Sequence, residues 1–513
     1  MASWSTKAPG LFVKIVFLGT LNAFALWAIP ILLLHHTNLF AAYMAVSTLV
    51  LDYVFLSRKR IAAKYIAPGV VLLILFQVYP ALYTGYIAFT NYSTGHILDK
   101  AQALDVMISN SYQQPENGGI YPMVVTTEVT TKTLTLILKN PDGTYSAGNS
   151  KGLTLLPTSA VTVDASGNVK SVQGFKLLSD AEVQARIDAL QSLHVPVGKS
   201  ARIDVADFST AQMTAPTLKY DPTTDRVTDI ATGTLYHPNN NGSMVSNAGD
   251  ELEPGWSTNV GWRNFTVVFT DARYRGPLGL VLGWTFAFAI LVVGSTFFMG
   301  LFLALVLNHP KLRHKKIYRS LLIVPYAMPS VLSILVWAGM FNQDLGVINR
   351  MFGVSIPWLF DPWLAKIAIL IVQLWLGTPY MFLIATGAIQ ALPNDIVEAA
   401  EVDGASGFQV FSKIKLPLVL LAMAPLLIAS FAYNFSNFGA IYLLTGGGPT
   451  IISSGGIAGH TDILISYTYK LAFAAGKGSN YGLASAVSFL NFILVASISA
   501  YSFKKTKTAE NLN

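Results

Sequence analysis

Four polar side chains of one apolar stretch, Ser430, Tyr433, Asn434 and Asn437, recur at intervals of three, one and three residues. At about 100° per residue they share a helix face, with Phe431, Phe435 and Phe438 on another. An upstream apolar stretch repeats the device with Gln373, Leu376, Gly377 and Tyr380, beside Pro379, which can kink a helix and free a carbonyl. Uncharged amides and hydroxyls next to aromatic rings are the groups that hold a neutral polyol with apolar ring faces. The rival reading is that such amides join helices to one another, the commoner use of a lone asparagine in a membrane helix. Two such stripes on successive stretches favour binding.

Other chemistries find little support. Gly198-Lys199-Ser200 ends like a phosphate-binding loop, but that pattern needs glycine where Leu193 stands, so an ordinary turn is expected. His35 and His36 lack a third histidine or an acid nearby and read as a solvated loop, with no metal site expected. No serine-centred nucleophile elbow or zinc-helix motif occurs, and with no cysteine the chain has neither disulfides nor thiolate chemistry. The chain is expected not to be an enzyme.

The elements that must position the two stripes follow from composition. Hydrophobic residues are 52% of the 513, charged residues 12%, and the mean hydropathy is +0.49, a balance that belongs in lipid. The net charge of +7 does not point to nucleic acid, because basic tracts interleaved with aromatics are missing. A membrane helix needs about 20 apolar residues. Eight runs qualify, at about 15–34, 38–56, 66–89, 279–306, 320–341, 367–390, 418–443 and 483–503. The first is too long for a signal-peptide core and lacks a cleavage site, so it reads as a retained anchor.

Lysine and arginine in short connections mark the cytoplasmic side. An inside N-terminus places sixteen there: Lys7, Lys14, Arg58, Lys59, Arg60, Lys64, Lys311, Arg313, Lys315, Lys316, Arg319, Lys413, Lys415, Lys504, Lys505 and Lys507. The short outer connections keep four, Arg350, Lys366, Lys470 and Lys477. Both termini are therefore expected in the cytoplasm. Between the third and fourth spans, residues 93–277 turn polar, with 14 Lys+Arg against 18 Asp+Glu, and read as a soluble extracytoplasmic insert. Turns at Asn140–Thr144 and Asp164–Asn168 between β-rich runs predict hairpins. Ser179 and Glu182 predict a capped helix from Asp180 to Leu193. The insert is mixed and mostly β, and the chain divides into 1–92 with spans one to three, the insert 93–277, and 278–513 with spans four to eight.

The loop 391–417, expected in the cytoplasm, reads helix, turn, helix. Pro393 suits a first helical turn, Asp395 and Glu398 favour the positive end of the helix dipole, Gly404 stops the helix, and Ser406 caps a second one ending before Pro417. A connector lying along the membrane would fit the same physics. The spelling decides otherwise. Glu398-Ala399-Ala400, Asp403-Gly404-Ala405, Phe411 and Leu416-Pro417 resemble the coupling loop of ABC importer permeases. Thr90-Asn91-Tyr92, Pro325-Tyr-Ala-Met-Pro329, Leu444-Thr-Gly-Gly-Gly-Pro449 and Tyr481-Gly-Leu-Ala484, with eight spans and an insert after the third, resemble the maltose/maltodextrin branch of that family.

The resemblance covers essentially the whole chain and implies an all-α polytopic membrane protein with the ABC importer permease fold and a large, mostly β external insert. It implies a multi-pass bacterial inner-membrane subunit that moves maltose or maltodextrin inward. Its implied partners are a separate ABC ATPase, itself a homodimer, a second permease subunit and an extracytoplasmic sugar-binding protein. No cofactor is expected on this chain, since ATP and Mg belong to the ATPase. Carried over by position, the sugar contacts fall on Leu376, Gly377, Tyr380, Ser430, Tyr433, Asn434, Asn437 and Gly439. Two depart from the familiar pattern: Tyr433 replaces a phenylalanine and Gly439 a valine, which widens the pocket. The alternative of an ion-coupled secondary transporter would need ionisable groups within the spans, where Asp52 is the only acid. A receptor or a membrane enzyme fits less well, for want of a cytoplasmic signalling domain or of catalytic groups.

Overall fold

The computed structural model describes residues 8–57, 59–116, 118–165, 167–198, 200–309, 312–452, 456–473 and 479–510. Lys7, Arg58, Lys199, Lys311 and Lys477, and Ser166 in the Asp164–Asn168 turn, lie outside the described residues. Two compact units emerge: a helical unit of residues 1–89, 265–469 and 483–513, and an insert unit of 90–264 together with 470–482.

In the helical unit the first three long apolar helices are α1 (Ala8–Leu34), α2 (Asn38–Leu56) and α3 (Ile61–Ile87). Asp52 on α2 accepts a hydrogen bond from the Asn22 side chain of α1 at 2.9 Å, so the lone acid of the spans joins two helices. The next two are α4 (Ala272–Asn308) and α5 (Lys315–Ala327). They are followed by α6 (Ser330–Met340), α7 (Pro362–Gln390), the short α8 (Asn394–Val402), α9 (Gly407–Phe435), α10 (Phe438–Thr445) and α11 (Tyr481–Glu510). Among the described residues seven helices are long and apolar enough to cross a membrane, or eight if the bent pair α5 and α6 counts as one span.

Two expected spans are not continuous helices. The run 320–341 is the pair α5 and α6, bent by 93°. Met328 precedes Pro329 and takes the extended conformation, ψ 140°, because a proline ring disfavours helical geometry in the residue before it. The run 418–443 stops at Phe435 and restarts at Phe438, with Ser436 (φ −119°, ψ 25°) and Asn437 (φ −78°, ψ 72°) off helical geometry between them.

Helices α4 and α7 form the centre of this unit. Phe288, Val292, Ile369 and Val372 are buried in one apolar cluster; Phe297, Leu301, Met381 and Phe382 are buried in a second, with Val419 and Met423 of α9. Such contact between membrane helices rests on small residues that let backbones approach. Gly300 is the tightest point, where an added Cβ would sit 2.7 Å from the Met381 carbonyl carbon and the Phe382 nitrogen.

The insert is sheet-rich. Strands Gly152–Leu156, Tyr145–Asn149, Leu134–Lys139, Ile120–Glu128, Thr210–Pro216, Ala201–Val205 and Val195–Val197 follow one another in space, each antiparallel to the next. A second sheet of five strands covers Leu218–Leu252. Both expected hairpins form, and Gly143 and Gly167 take the positive φ (82° each) that their turns demand. The predicted 180–193 helix is instead two five-residue helices, Asp180–Gln184 and Ile187–Gln191, the first opened by the Ser179/Glu182 capping box and closed by a tight Arg186 to Val183 turn.

Gly300→Ala should force α4 and α7 apart and cost about 1–3 kcal/mol. The thermal unfolding midpoint of the detergent-solubilised protein checks this, and an unchanged midpoint would mean that the two backbones do not meet at Gly300.

Candidate functional site

The two helix breaks and the central helix pair meet around one partly open cavity of about 870 Å³. Helix α7 contributes Gln373, Leu376, Gly377 and Tyr380, and α9 contributes Ser430, Tyr433 and Asn434. The break after α9 contributes Ser436 and Asn437, and α10 begins with Phe438 and Gly439 on the same wall. All eight residues expected to contact ligand therefore line one cavity. The wall opposite comes from Tyr326, Met328, Ser330 and Val331 at the α5–α6 bend, and from Val292 and Thr296 of α4.

Asn437 reaches the cavity by a route other than the expected helix face. It is the N-cap of α10, its side-chain oxygen accepting from the Ala440 backbone N–H at 3.3 Å, as an asparagine at a helix start commonly does. Its amide nitrogen donates to Gln373 Oε1 at 3.2 Å, tying the break to α7. Asn434 is 8% exposed and donates to the Ser430 carbonyl of its own helix at 2.9 Å. Tyr433, 69% exposed, offers a free ring.

The expected phenylalanine face serves packing more than binding. Phe435 is fully buried edge-on against Phe286 (centroids 5.0 Å apart) and beside Phe431, whereas Phe438 lines the cavity and stacks on Tyr442 at 4.9 Å. Tyr380 lies nearly parallel to Tyr326 of α5, centroids 6.4 Å apart. At Gly439 an added Cβ would meet open space, while at Gly377 it would lie 2.8 Å from Thr296 Cγ2, so one glycine leaves room and the other allows contact with α4.

Among the described residues no charged side chain lines the cavity. Asp462, a buried acid the sequence reading passed over, is satisfied locally by the Gly459 N–H and the Ser466 hydroxyl, both at 2.7 Å. Tyr326, Met328 and Ser330 line the cavity without being legible as site residues in the sequence. Pro329 was the available signal, since a proline disfavours helical geometry in the residue before it, here Met328, whereas Pro325 sits within α5.

A second cluster surrounds Gly404. Helix α8 starts after Pro393, which serves as its N-cap (φ −61°, ψ 125°) and does not enter the first turn as expected. The helix ends in a paired closure: Gly404 N–H reaches the Glu401 carbonyl and Ala405 N–H the Ala400 carbonyl, the arrangement that needs a left-handed residue. Gly404 supplies it, at φ +82°. Ser406 then opens the next helix through a reciprocal capping box with Gln409. That helix does not end before Pro417. A π turn at Phe411–Lys415 widens the coil just ahead of the proline, so the missing N–H and the ring are absorbed and the helix runs on to Phe435.

Glu398, Ala399, Asp403, Gly404 and Pro417 are exposed and Ala400 and Ala405 half-buried, while Phe411 and Leu416 pack onto the Met381 cluster. Val402 (87% exposed) and Phe408 (76% exposed) project from either side of the turn. Neither was singled out in the sequence.

Residues 296–507 match the model of the binding-protein-dependent transport system inner membrane component, and residues 71–151 match the N-terminal region of the transmembrane subunit in binding-protein-dependent ABC transporters. The maltose/maltodextrin transport system permease protein MalF of Vibrio vulnificus is 35% identical over 100% of this chain and 98% of that protein. The chain belongs to the MalF permease family. The Escherichia coli K12 member is 37% identical over 90% of this chain and 91% of that protein. A solved bacterial ABC transporter involved in import of the acidic polysaccharide alginate is similar at 20% identity and a TM-score of 0.42, over 48% of this chain and 84% of that one. As a MalF-type permease the chain is a multi-pass membrane transport subunit of a binding-protein-dependent importer and not itself an enzyme. Among the described residues no group of three His, Asp or Glu comes together as a metal site.

Proposed function

We propose that the cavity of about 870 Å³ holds a maltose- or maltodextrin-type sugar on its way to the cytoplasm. One observation carries this reading: the eight residues Leu376, Gly377, Tyr380, Ser430, Tyr433, Asn434, Asn437 and Gly439 converge on a single cavity of neutral amides, hydroxyls and aromatic rings. The Tyr380 and Tyr433 rings stack on sugar faces. Ser430, Asn434 and Asn437 bond sugar hydroxyls, Leu376 covers an apolar edge, Gly439 leaves space and Gly377 lets α7 close on α4. A lining that, among the described residues, holds no carboxylate, histidine or basic side chain suits a neutral polyol and offers a proton no acid or base to ride on.

Energy comes from a partner ABC ATPase working as a homodimer with ATP and Mg, docked on the Glu398–Pro417 loop. Val402 and Phe408, exposed on either side of the turn, are the apolar contacts of that docking surface, since the core of an interface buries apolar and aromatic side chains. A second permease subunit closes the open side of the cavity, and an extracytoplasmic sugar-binding protein delivers the ligand. The excess of basic residues on one side puts the termini and the Gly404 turn in the cytoplasm and the insert outside.

Three outcomes test this. Leaving a sugar hydroxyl unpaired costs about 1–3 kcal/mol, and removing a stacked ring forfeits its buried area and about 0.5–1.5 kcal/mol besides, so Asn434→Ala and Tyr433→Ala should each lower uptake about tenfold or more while the protein still assembles with its ATPase. Normal uptake by both returns these side chains to helix packing.

At Gly404, φ +82°, a Cβ costs about 1 kcal/mol or more, and proline, held at a negative φ and without the N–H that reaches the Glu401 carbonyl, cannot form the turn. Gly404→Pro should leave membrane insertion intact while the ATPase detaches or hydrolyses ATP without moving sugar. Wild-type ATPase retention, sugar-stimulated hydrolysis and uptake in lipid vesicles would reduce the loop to a connector.

In this cysteine-free chain, an impermeant maleimide added outside spheroplasts should label Lys170→Cys and spare Gly407→Cys. The reverse pattern overturns the orientation.

A further inference from the structure

Helices α1, α2 and α3 enclose a second cavity, of about 290 Å³, whose walls are apolar. On α1 it runs from Leu21 to Leu32 and on α2 from Phe40 to Leu51, with Val71 and Leu75 of α3 closing the third side. Eleven residues of helix rise about 16 Å. That is close to half of a hydrocarbon core about 30 Å thick, or one leaflet. The cavity is therefore a slot one leaflet deep, and its Leu32/Phe40 end abuts the turn at His35 and His36 between α1 and α2.

Two of its three lining hydroxyls, those of Tyr43 and Thr48, are engaged by the backbone, which leaves Ser47. The Tyr43 hydroxyl donates to the Val71 carbonyl, and the Thr48 hydroxyl to the Met44 carbonyl at 2.8 Å. Water in such a space would find the Ser47 hydroxyl at most and not the several partners it needs, and apolar cavities of this kind stay dry and accept hydrocarbon. The slot is also continuous with the bilayer-facing surface. Phe24 on its wall is 53% exposed, and Trp27, Leu39 and Val46 of the flanking faces are 64%, 67% and 59% exposed.

The shape of the slot is set by the fold around it. Helix α3 winds as a π turn at Ile74–Val78, with Leu75 inside that turn and the Val71 carbonyl, just before it, held by Tyr43. The small Ala25 on α1, 4% exposed, leaves the centre of the slot unfilled. An unfilled apolar void forfeits dispersion contacts along its whole lining, which a flexible hydrocarbon chain restores.

We propose that this slot is a binding site for one acyl chain of a membrane phospholipid, drawn from the leaflet that borders the α1–α2 turn, with its headgroup level with His35 and His36. The bound chain completes the packing of the first three helices and is held more firmly than the lipid around it.

The test uses the full chain in phospholipid nanodiscs containing phosphatidylcholine with a mid-chain diazirine. After irradiation, cross-linked peptides are mapped by mass spectrometry. Peptides covering residues 21–32 and 40–51 should carry the lipid in the wild type. Filling the slot with Ala25→Phe should lower that cross-linking several-fold while cross-linking to the lipid-facing side of α11 is unchanged. Ala25→Leu, a smaller intrusion, guards against misfolding and should give an intermediate loss. Equal cross-linking in the wild type and both variants would mean ordinary surrounding lipid, and no cross-linking at 21–32 and 40–51 would mean that the slot takes no acyl chain; either result overturns the proposal.

Discussion

The interior of a bilayer offers no partner to a peptide N–H or C=O, so every backbone group placed there must find one within the protein. A continuous helix meets that condition by itself, and most of the apolar length of this chain is continuous helix. Wherever a helix is interrupted, the freed groups must be taken up by a side chain or face a space that is not lipid. The α5–α6 bend and the Ser436–Asn437 break border the same cavity, and at the second break the side chain of Asn437 caps the helix that follows. The irregular backbone and the candidate site are one feature seen from two sides.

The constraint explains why single residues hold two duties here. Asn437 satisfies the start of α10, links the break to Gln373 on α7 and borders the cavity. Gly377 lets α7 lie against Thr296 and borders the same space. At Gly404, away from the apolar spans, the rule is looser and the turn is built from ordinary caps, with Gly404 closing one helix and Ser406 opening the next.

Much of this was legible in the residues. Apolar runs of the right length marked the spans because lipid leaves no other option, and turn glycines such as Gly143 marked the hairpins of the insert because few other residues take a positive φ. The residues of the cavity were legible as types and spacings, and all eight converge. What the sequence concealed was discontinuity. Composition at 320–341 and 418–443 is as apolar as in a straight helix; Pro329 alone hinted at the bend at Met328, and the break at Ser436 depends on how neighbouring helices receive the freed groups. A helix wheel drawn through Asn437 put it on the correct wall by an incorrect route. Pro417 misled in the opposite sense. It reads as a terminus, yet the π turn before it carries the helix through.

That continuity has a mechanical meaning. The helix from Gly407 to Phe435 holds 29 residues and so extends about 43 Å, with the Gly404 turn at one end and Asn434 of the cavity wall at the other. A rod of that length behaves as a lever arm. A tilt of a few degrees applied at Ser406 displaces Tyr433 and Asn434 by ångströms, and the one widened coil at Phe411–Lys415 is where such a lever could flex instead of transmit. The stiffness of five residues near Pro417 therefore sets how much of any push at the turn arrives at the cavity.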